Sequence, residues 1–271
     1  MAKTIITVAT TGAWPRKKDN PNIPLTPQEI ADDVYKCYQA GAAVAHLHMR
    51  DDEGLGTMAT EKFEETVKLI KEKCDIILNL TTSGDLNATD ETRQAHIKSI
   101  KPDMASYDCG SMNWGHNALF INHPHFLESL GQTMKDNGVK PEVEIFDAGM
   151  VYNSLYYKKK GILDGPVHYQ FVLGAAGGST ATVENLVYLK GLIPEDSTWS
   201  AFGVGKDHLK ILYTTIAMGG HVRVGLEDNL YYSKGQVASN EQLVSRAARV
   251  IKEYGNEVAS VSEAKELLGL S

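Results

Sequence analysis

Cysteine is scarce in this chain: Cys37, Cys74 and Cys109 are the three in 271 residues, with no close pair among them. That excludes a disulfide framework and a four-thiolate zinc site. Basic residues are not gathered either. Lys and Arg number 27 against 34 Asp and Glu, a formal net charge of −7, and the run Lys158-Lys159-Lys160 falls at the end of an expected helix, where cations suit the dipole. A nucleic-acid partner would need a basic stripe that displaces counterions, so none is expected. No apolar run reaches the roughly 18 residues a membrane span requires. Ile5 to Ala9, after Met1-Ala2-Lys3-Thr4, is too short for a signal peptide, so the expected setting is a reducing cytoplasm with no membrane partner.

What is present is regular. Hydrophobic residues make up 42% and charged residues 23%, enough apolar material for a sizeable core. Short β-branched runs alternate with amphipathic stretches. The strands are expected near Ile5–Thr10, Val44–Arg50, Asp75–Thr82, Met104–Gly110, Glu142–Asp147, Val167–Gly174, Trp199–Gly205 and His221–Asp228. Between them lie helical patterns such as Thr26–Ala40, Thr60–Cys74, Asp207–Gly219 and Asn240–Gly255. Thr26-Pro27-Gln28-Glu29 carries a complete start signal, with Thr at the cap, Pro in the first turn and Glu three residues on. Eight βα units without a linker predict one domain over residues 1–271, a (β/α)8 TIM barrel. Two loops after strand carboxyl ends, Gly12 to Pro24 and Gly110 to Ile121, look long, and such loops build the sites of barrel enzymes.

The densest chemical signal is His46-Leu47-His48. On a strand, residues i and i+2 share a face, so both imidazoles point the same way, and a divalent metal is the natural user of their lone pairs. Alone, the pair reads first as a hydrogen-bonded polar patch. The eighth strand, His221-Val222-Arg223-Val224-Gly225-Leu226-Glu227-Asp228-Asn229, offers a third ligand. Glu227 shares a face with Arg223 and Gly225, and small Gly225 leaves room. In a closed barrel the second and eighth strands flank the first, so Glu227 can reach His46 and His48. Two histidines and a carboxylate leave positions open for substrate or water; an inward salt bridge between Arg223 and Glu227 alone is the plainer reading. His123-Pro124-His125 has the same spacing, but its proline marks a helix start and a capping or surface pair.

Other candidates are weaker one by one. Thr82-Ser83-Gly84 ends the third strand with hydroxyls that can face a carboxylate or carbonyl. Ser106 and Asp108 lie near the end of the fourth. Glu142 and Glu144 share a face of the fifth and need a partner such as Arg223. Gly177-Gly178, ahead of a helix, has amides able to cradle phosphate or pantetheine groups.

Taken together, these residues resemble the β-keto acid cleavage enzymes. The resemblance rests on Thr7-Val8-Ala9-Thr10-Thr11-Gly12-Ala13, His46-Leu47-His48-x-Arg50-Asp51, Lys101-Pro102-Asp103-Met104-Ala105, Gly177-Gly178 with Glu184-Asn185-Leu186, and Val222-Arg223-Val224-Gly225-x-Glu227-Asp228-Asn229. It covers the whole chain, including Val261-Ser262-x-Ala264-x-Glu266-Leu267-Leu268-Gly269. It implies a zinc-dependent barrel, usually a homotetramer, that converts a β-keto acid and acetyl-CoA to acetoacetate and a new acyl-CoA. By that likeness His46, His48 and Glu227 hold Zn2+, and Asp228 paired with Arg223 is the base. Thr82 or Ser83, with Ser106, would hold the substrate, with Glu142 and Glu144 beside it, and Gly177 and Gly178 would lie near the coenzyme.

The chain departs from the family's aminohexanoate type after Ala13. There a glutamate receives the substrate's ammonium; here Trp14-Pro15-Arg16 follows. An indole offers apolar area or a cation–π face, and Arg16 suits a second carboxylate. An uncharged, anionic or quaternary-ammonium tail is therefore expected over a primary amine, unless another acid such as Asp85 or Glu144 fills the role. Two rival functions compete with this one. A metal-dependent hydrolase of the amidohydrolase type would carry its pair on the first strand and further histidines at the ends of the fifth and sixth. A non-catalytic small-ligand binder would have a closed metal shell.

Overall fold

A computed structural model describes residues 1–270. Eight parallel strands close into a barrel: β1 (Ile6–Ala9), β2 (Val44–Leu47), β3 (Ile77–Leu80), β4 (Met104–Asp108), β5 (Lys140–Ile145), β6 (His168–Leu173), β7 (Thr198–Gly203) and β8 (His221–Val224). They neighbour one another in chain order, and β8 pairs with β1 through Arg223 opposite Thr7. This is the expected (β/α)8 architecture. Among the described residues no helix is long and apolar enough to cross a membrane.

The helix layer follows from the local sequence. In α1 (Pro27–Gln39) the Thr26 side chain accepts the Glu29 amide while Glu29 accepts the Thr26 amide, the reciprocal cap expected there. Ile30, Ala31, Val34 and Cys37 recur at three- and four-residue spacing and are all buried. Each such aliphatic side chain contributes about 1.5–3 kcal/mol by leaving water, so a charge at Val34 would unseat the helix. The remaining helices that follow barrel strands are α2 (Thr60–Lys71), α3 (Asp90–Ile100), α4 (Pro124–Asn137), α5 (Ala148–Lys159), α6 (Val183–Leu192), α7 (His208–Ala217) and α8 (Asn240–Tyr254). A final helix, α9 (Val261–Leu268), lies at the opposite end from the βα loops. Its Ala264 and Leu268 pack against Ile5, Val44, Ile77 and Met104 and plug that end of the barrel. The cavity therefore opens at the carboxyl ends of the strands.

Three expectations need correction. The second strand ends at Leu47, after which Met49–Arg50 pairs antiparallel with Gly56–Thr57. The eighth ends at Val224 rather than Asp228. Gly225 has φ +153°, and a Cβ there would meet the Ala9 carbonyl oxygen at 1.9 Å. Its smallness thus serves a close backbone approach, not room for an inward Glu227. The Gly110 to Ile121 segment is not irregular: Met112–Trp114 and Ala118–Phe120 form a hairpin over the barrel mouth.

Candidate active site

Glu227 reaches the barrel mouth through a turn rather than along a strand. Past Gly225 the chain folds back, with the amides of Asp228 and Asn229 donating to the Gly225 carbonyl and that of Glu227 to Ala9. Glu227 Oε1 lies 3.6 Å from His46 Nε2 and 3.4 Å from His48 Nε2. The two imidazole centroids are 5.2 Å apart. Donor atoms of these three residues all lie within 4.8 Å of one another. An overlapping group, His46, Glu142 and Glu144, meets the same limit.

The electrostatics suit a cation. Burial, with the Arg223 charge behind it, pushes the His46 imidazole well below the usual histidine range, so the ring is neutral and keeps a free lone pair. Burial opposes ionisation of Glu227, but His48, Arg223 and His46 outweigh it and hold the carboxyl well below the usual carboxylate range. Its Oε2 is buried without a hydrogen-bond partner. A neutral imidazole and an ionised carboxylate with a spare oxygen are what a divalent metal needs from its donors.

Arg223 organises the carboxylates. Its Nε and Nη2 each donate to Asp228 at 2.9 Å, Nη2 also to Glu227 at 2.6 Å, and Nη1 to Glu144 at 3.2 Å. The guanidinium carbon stands 4.3 Å from the Phe202 ring centre. Burial, with Glu227 nearby, raises the Asp228 carboxyl to about 6 although Arg223 pulls it down. Burial and Asp108 push Glu144 well above its ordinary value. Glu142 lies deeper: Asn79 donates to it at 2.6 Å, and it sits 3.9 Å from His46 Nδ1.

A cavity of about 300 Å³ stands above these groups. His46, His48, Glu227, Asp228, Arg223 and Glu144 line it, and so do Trp14, Ser83 and Asp108. Several expected contacts do not. The hydroxyl of Thr82 is spent on the Ser106 carbonyl and that of Ser106 on the Thr82 amide, so the pair ties β3 to β4 beneath the cavity. Gly84 gives its amide to the Met58 sulfur, and its carbonyl abuts Gly56. The Gly178 amide donates to Ala175, and a Cβ on Gly177 would meet the Asn113 carbonyl at 2.0 Å. Gly177 packs its loop against the Met112–Phe120 hairpin and Gly178 packs against Phe146, with no free amide at Gly178 for a ligand. Arg16 is exposed on its loop, away from the cavity.

The sequence reading passed over other contributors. Arg50 donates to the carbonyls of Thr11, Gly12, Pro15 and Gly54 and so pins the loop that carries Trp14. Trp114, Phe120, Phe146 and Phe202 form the apolar wall. A charged residue at a strand end was the available signal for Arg50. For the wall there was none, because the hairpin was read as plain loop. His123 caps α4 by accepting the Phe126 amide, as its proline suggested. His168 sits at the base of β6, bonded to Thr198 and Ser200, not at the mouth where a hydrolase of the rival type would need it.

The fold alone is shared with many barrels. The apo structure of ObcA superposes with a TM-score of 0.84 at 21% identity, over 92% of this chain and 66% of that one. Sequence comparison reaches further. The chain is 42% identical over 272 residues to the 3-keto-5-aminohexanoate cleavage enzyme of Fusobacterium nucleatum, covering all of this chain and 99% of that protein. It is 36% identical to the 3-oxoadipate:acetyl-CoA acetyltransferase of Cupriavidus necator, covering 98% and 94%. A family model for beta-keto acid cleavage enzymes matches residues 3–270, the span that carries both the barrel and the His46/His48/Glu227 cluster, and the chain belongs to that family.

Proposed function

We propose that this protein transfers an acyl group from a β-keto acid to coenzyme A, using acetyl-CoA as cosubstrate and a divalent metal, zinc, held by His46, His48 and Glu227. The observation that carries the reading is the convergence of those three donors beside Asp228 in one cavity. The names of the relatives, which include an acetyl-CoA acetyltransferase, supply the cosubstrate. When bound, the metal supplies Lewis-acid polarisation of the β-keto acid's oxygens.

This chain's residues would do the rest. Asp228, with its carboxyl near neutrality, takes a proton from the carbon between ketone and carboxylate. Its two hydrogen bonds to Arg223 fix the carboxylate's direction and stabilise its charge before the proton arrives. Ser83, which lines the same cavity, would donate to the substrate carboxylate. The carbon nucleophile attacks the acetyl thioester carbonyl and expels the coenzyme thiolate. Attack of that thiolate on the original ketone then breaks the old carbon–carbon bond, and the departing carbon takes the proton back from Asp228, giving acetoacetate and the new acyl-CoA.

A reducing cytoplasmic setting fits three free cysteines, two of them buried. A homotetramer, or another homo-oligomer, fits α6, which is apolar on both sides: Leu186 and Leu189 face the barrel while Val183, Val187 and Tyr188 are exposed. The test of function is isotopic. With acetyl-CoA labelled in both acetyl carbons, acetoacetate should carry the label and the new acyl-CoA should not. Free acetate with no acyl-CoA product would favour a hydrolase instead.

A further inference from the structure

Asp108 has no part in the reaction just described. It ends β4, is 2% exposed and lines the cavity, and its Oδ2 is buried without a hydrogen-bond partner among the described residues. A carboxylate oxygen in that state is costly unless something completes it. The nearby cations are committed elsewhere. Arg223 serves Glu144, Glu227 and Asp228. Arg93 gives its donors to the Thr82 and Ile121 carbonyls and to Asn122 Oδ1.

Aromatic rings share this side of the cavity. Trp114 and Phe120 come from the hairpin after β4, and Phe146 follows β5. Their centroids are 6.1–6.4 Å apart and their planes 74–78° to one another. Rings set nearly at right angles offer π faces to a group lying between them, and a π face attracts cations. In the eight-strand ring β4 and β5 stand opposite β8 and β1, so this wall lies across the mouth from Glu227.

We infer that Asp108, with the aromatic wall of Trp114 and Phe146, recognises a positively charged nitrogen on the tail of the β-keto acid. The inference rests on the proposed reaction and adds its substrate class. Trp14 in place of an acid after Ala13 led to the expectation that amine tails are disfavoured; the negative charge comes instead from the end of another strand. Of the two acids named as substitutes, Asp85 does not line the cavity and Glu144 is bound to Arg223.

The experiment compares kcat/KM for β-keto acids of matched size whose tails end in an ammonium, an uncharged alkyl or a carboxylate group. The wild-type enzyme should favour the ammonium tail over the alkyl one by about tenfold or more, and the carboxylate tail should be poorest. Asp108→Asn should bring the ammonium-to-alkyl ratio down to near one, whatever it does to absolute rates. Trp114→Leu should lower the ratio by a smaller factor, about two- to fivefold, and decides the matter if Asp108→Asn turns over no substrate. A wild-type preference for alkyl or carboxylate tails, or a ratio unchanged in both variants, overturns the inference. Failure of every tail to yield acyl-CoA would instead count against the proposed reaction. A primary and a quaternary ammonium tail run side by side show which form of cation the wall prefers.

Discussion

The barrel interior holds two buried polar layers, and they differ in how well they are satisfied. Near the plugged end, His168 Nδ1 pairs with Thr198 at 2.9 Å and its Nε2 with Ser200 at 3.2 Å, while Ser200 donates to Gln170 at 2.6 Å. His221 Nδ1 accepts the Ile5 amide. At the mouth, His46 Nδ1, His48 Nδ1, Asp108 Oδ2 and Glu227 Oε2 are buried without partners, and Glu142 Oε2, also unpartnered, lies between the layers, 3.7 Å from His168 Nε2. Both sets of atoms are buried in one barrel, so burial alone does not explain the contrast. Polar atoms with partners specify the barrel; polar atoms without partners, gathered around a cavity, are held ready for a ligand.

The largest effect should come from breaking the mouth layer at its centre. His48→Ala should take bound metal from about one per chain to near none and reduce turnover by about three orders of magnitude or more, with the fold intact by circular dichroism. Metal retained at full stoichiometry would remove His48 from the ligand set. Asp228→Asn keeps shape and loses the base. It should retain metal while kcat falls by about 10²- to 10⁴-fold, and a near-normal rate would pass the proton to another carboxylate.

A third buried group sharpens the contrast because it is unpartnered with no cavity beside it. His96, on α3, stacks on Phe63 at 4.2 Å, and neither ring nitrogen has a partner. Burial pushes its imidazole down to about 4 from the ordinary 6.5. The unfolded chain binds this proton below about pH 6.5 and the folded one only near pH 4. Stability from this site is therefore complete above pH 6.5 and falls away as pH drops towards 4, by about 3 kcal/mol at most. Denaturant titrations at pH 7 and pH 4.5 should show a smaller pH loss for His96→Leu than for wild type, and equal losses would refute it. The smallest effect belongs to the satisfied layer. Ser200→Ala strips a partner from Gln170 and His168 and should cost about 1–3 kcal/mol of stability, with kcat unchanged within experimental scatter. A large fall in kcat would mean that the lower layer also serves the reaction.

Much of this architecture was legible one segment at a time. The reciprocal cap at Thr26 and Glu29, the alternation of strand and helix, and the His46/His48 pair are local patterns, and short-range geometry converts them directly to structure. Thr82 and Ser106 show the opposite case. Their hydroxyls had neighbours on the next strand that no linear spacing reveals, and they bond to one another. The glycines at 177 and 178 misled in the same way, because a glycine that admits a ligand and one that admits a neighbouring backbone look alike in a sequence.

By itself the sequence determined the barrel, its helix boundaries and the kinds of residue at its mouth, because period and capping are set by near neighbours. Only the tertiary structure decided how those residues combine. Barrel closure sets β8 beside β1, and the Gly225 turn that fits against Ala9 swings Glu227 onto two histidines of β2. Arg223 meets carboxylates from β5 and from its own turn, while the hairpin after β4 brings its rings to the cavity that Asp108 lines. These contacts join residues up to 216 positions apart, from Ala9 to Gly225, and depend on the shape of a closed surface rather than on any stretch of chain.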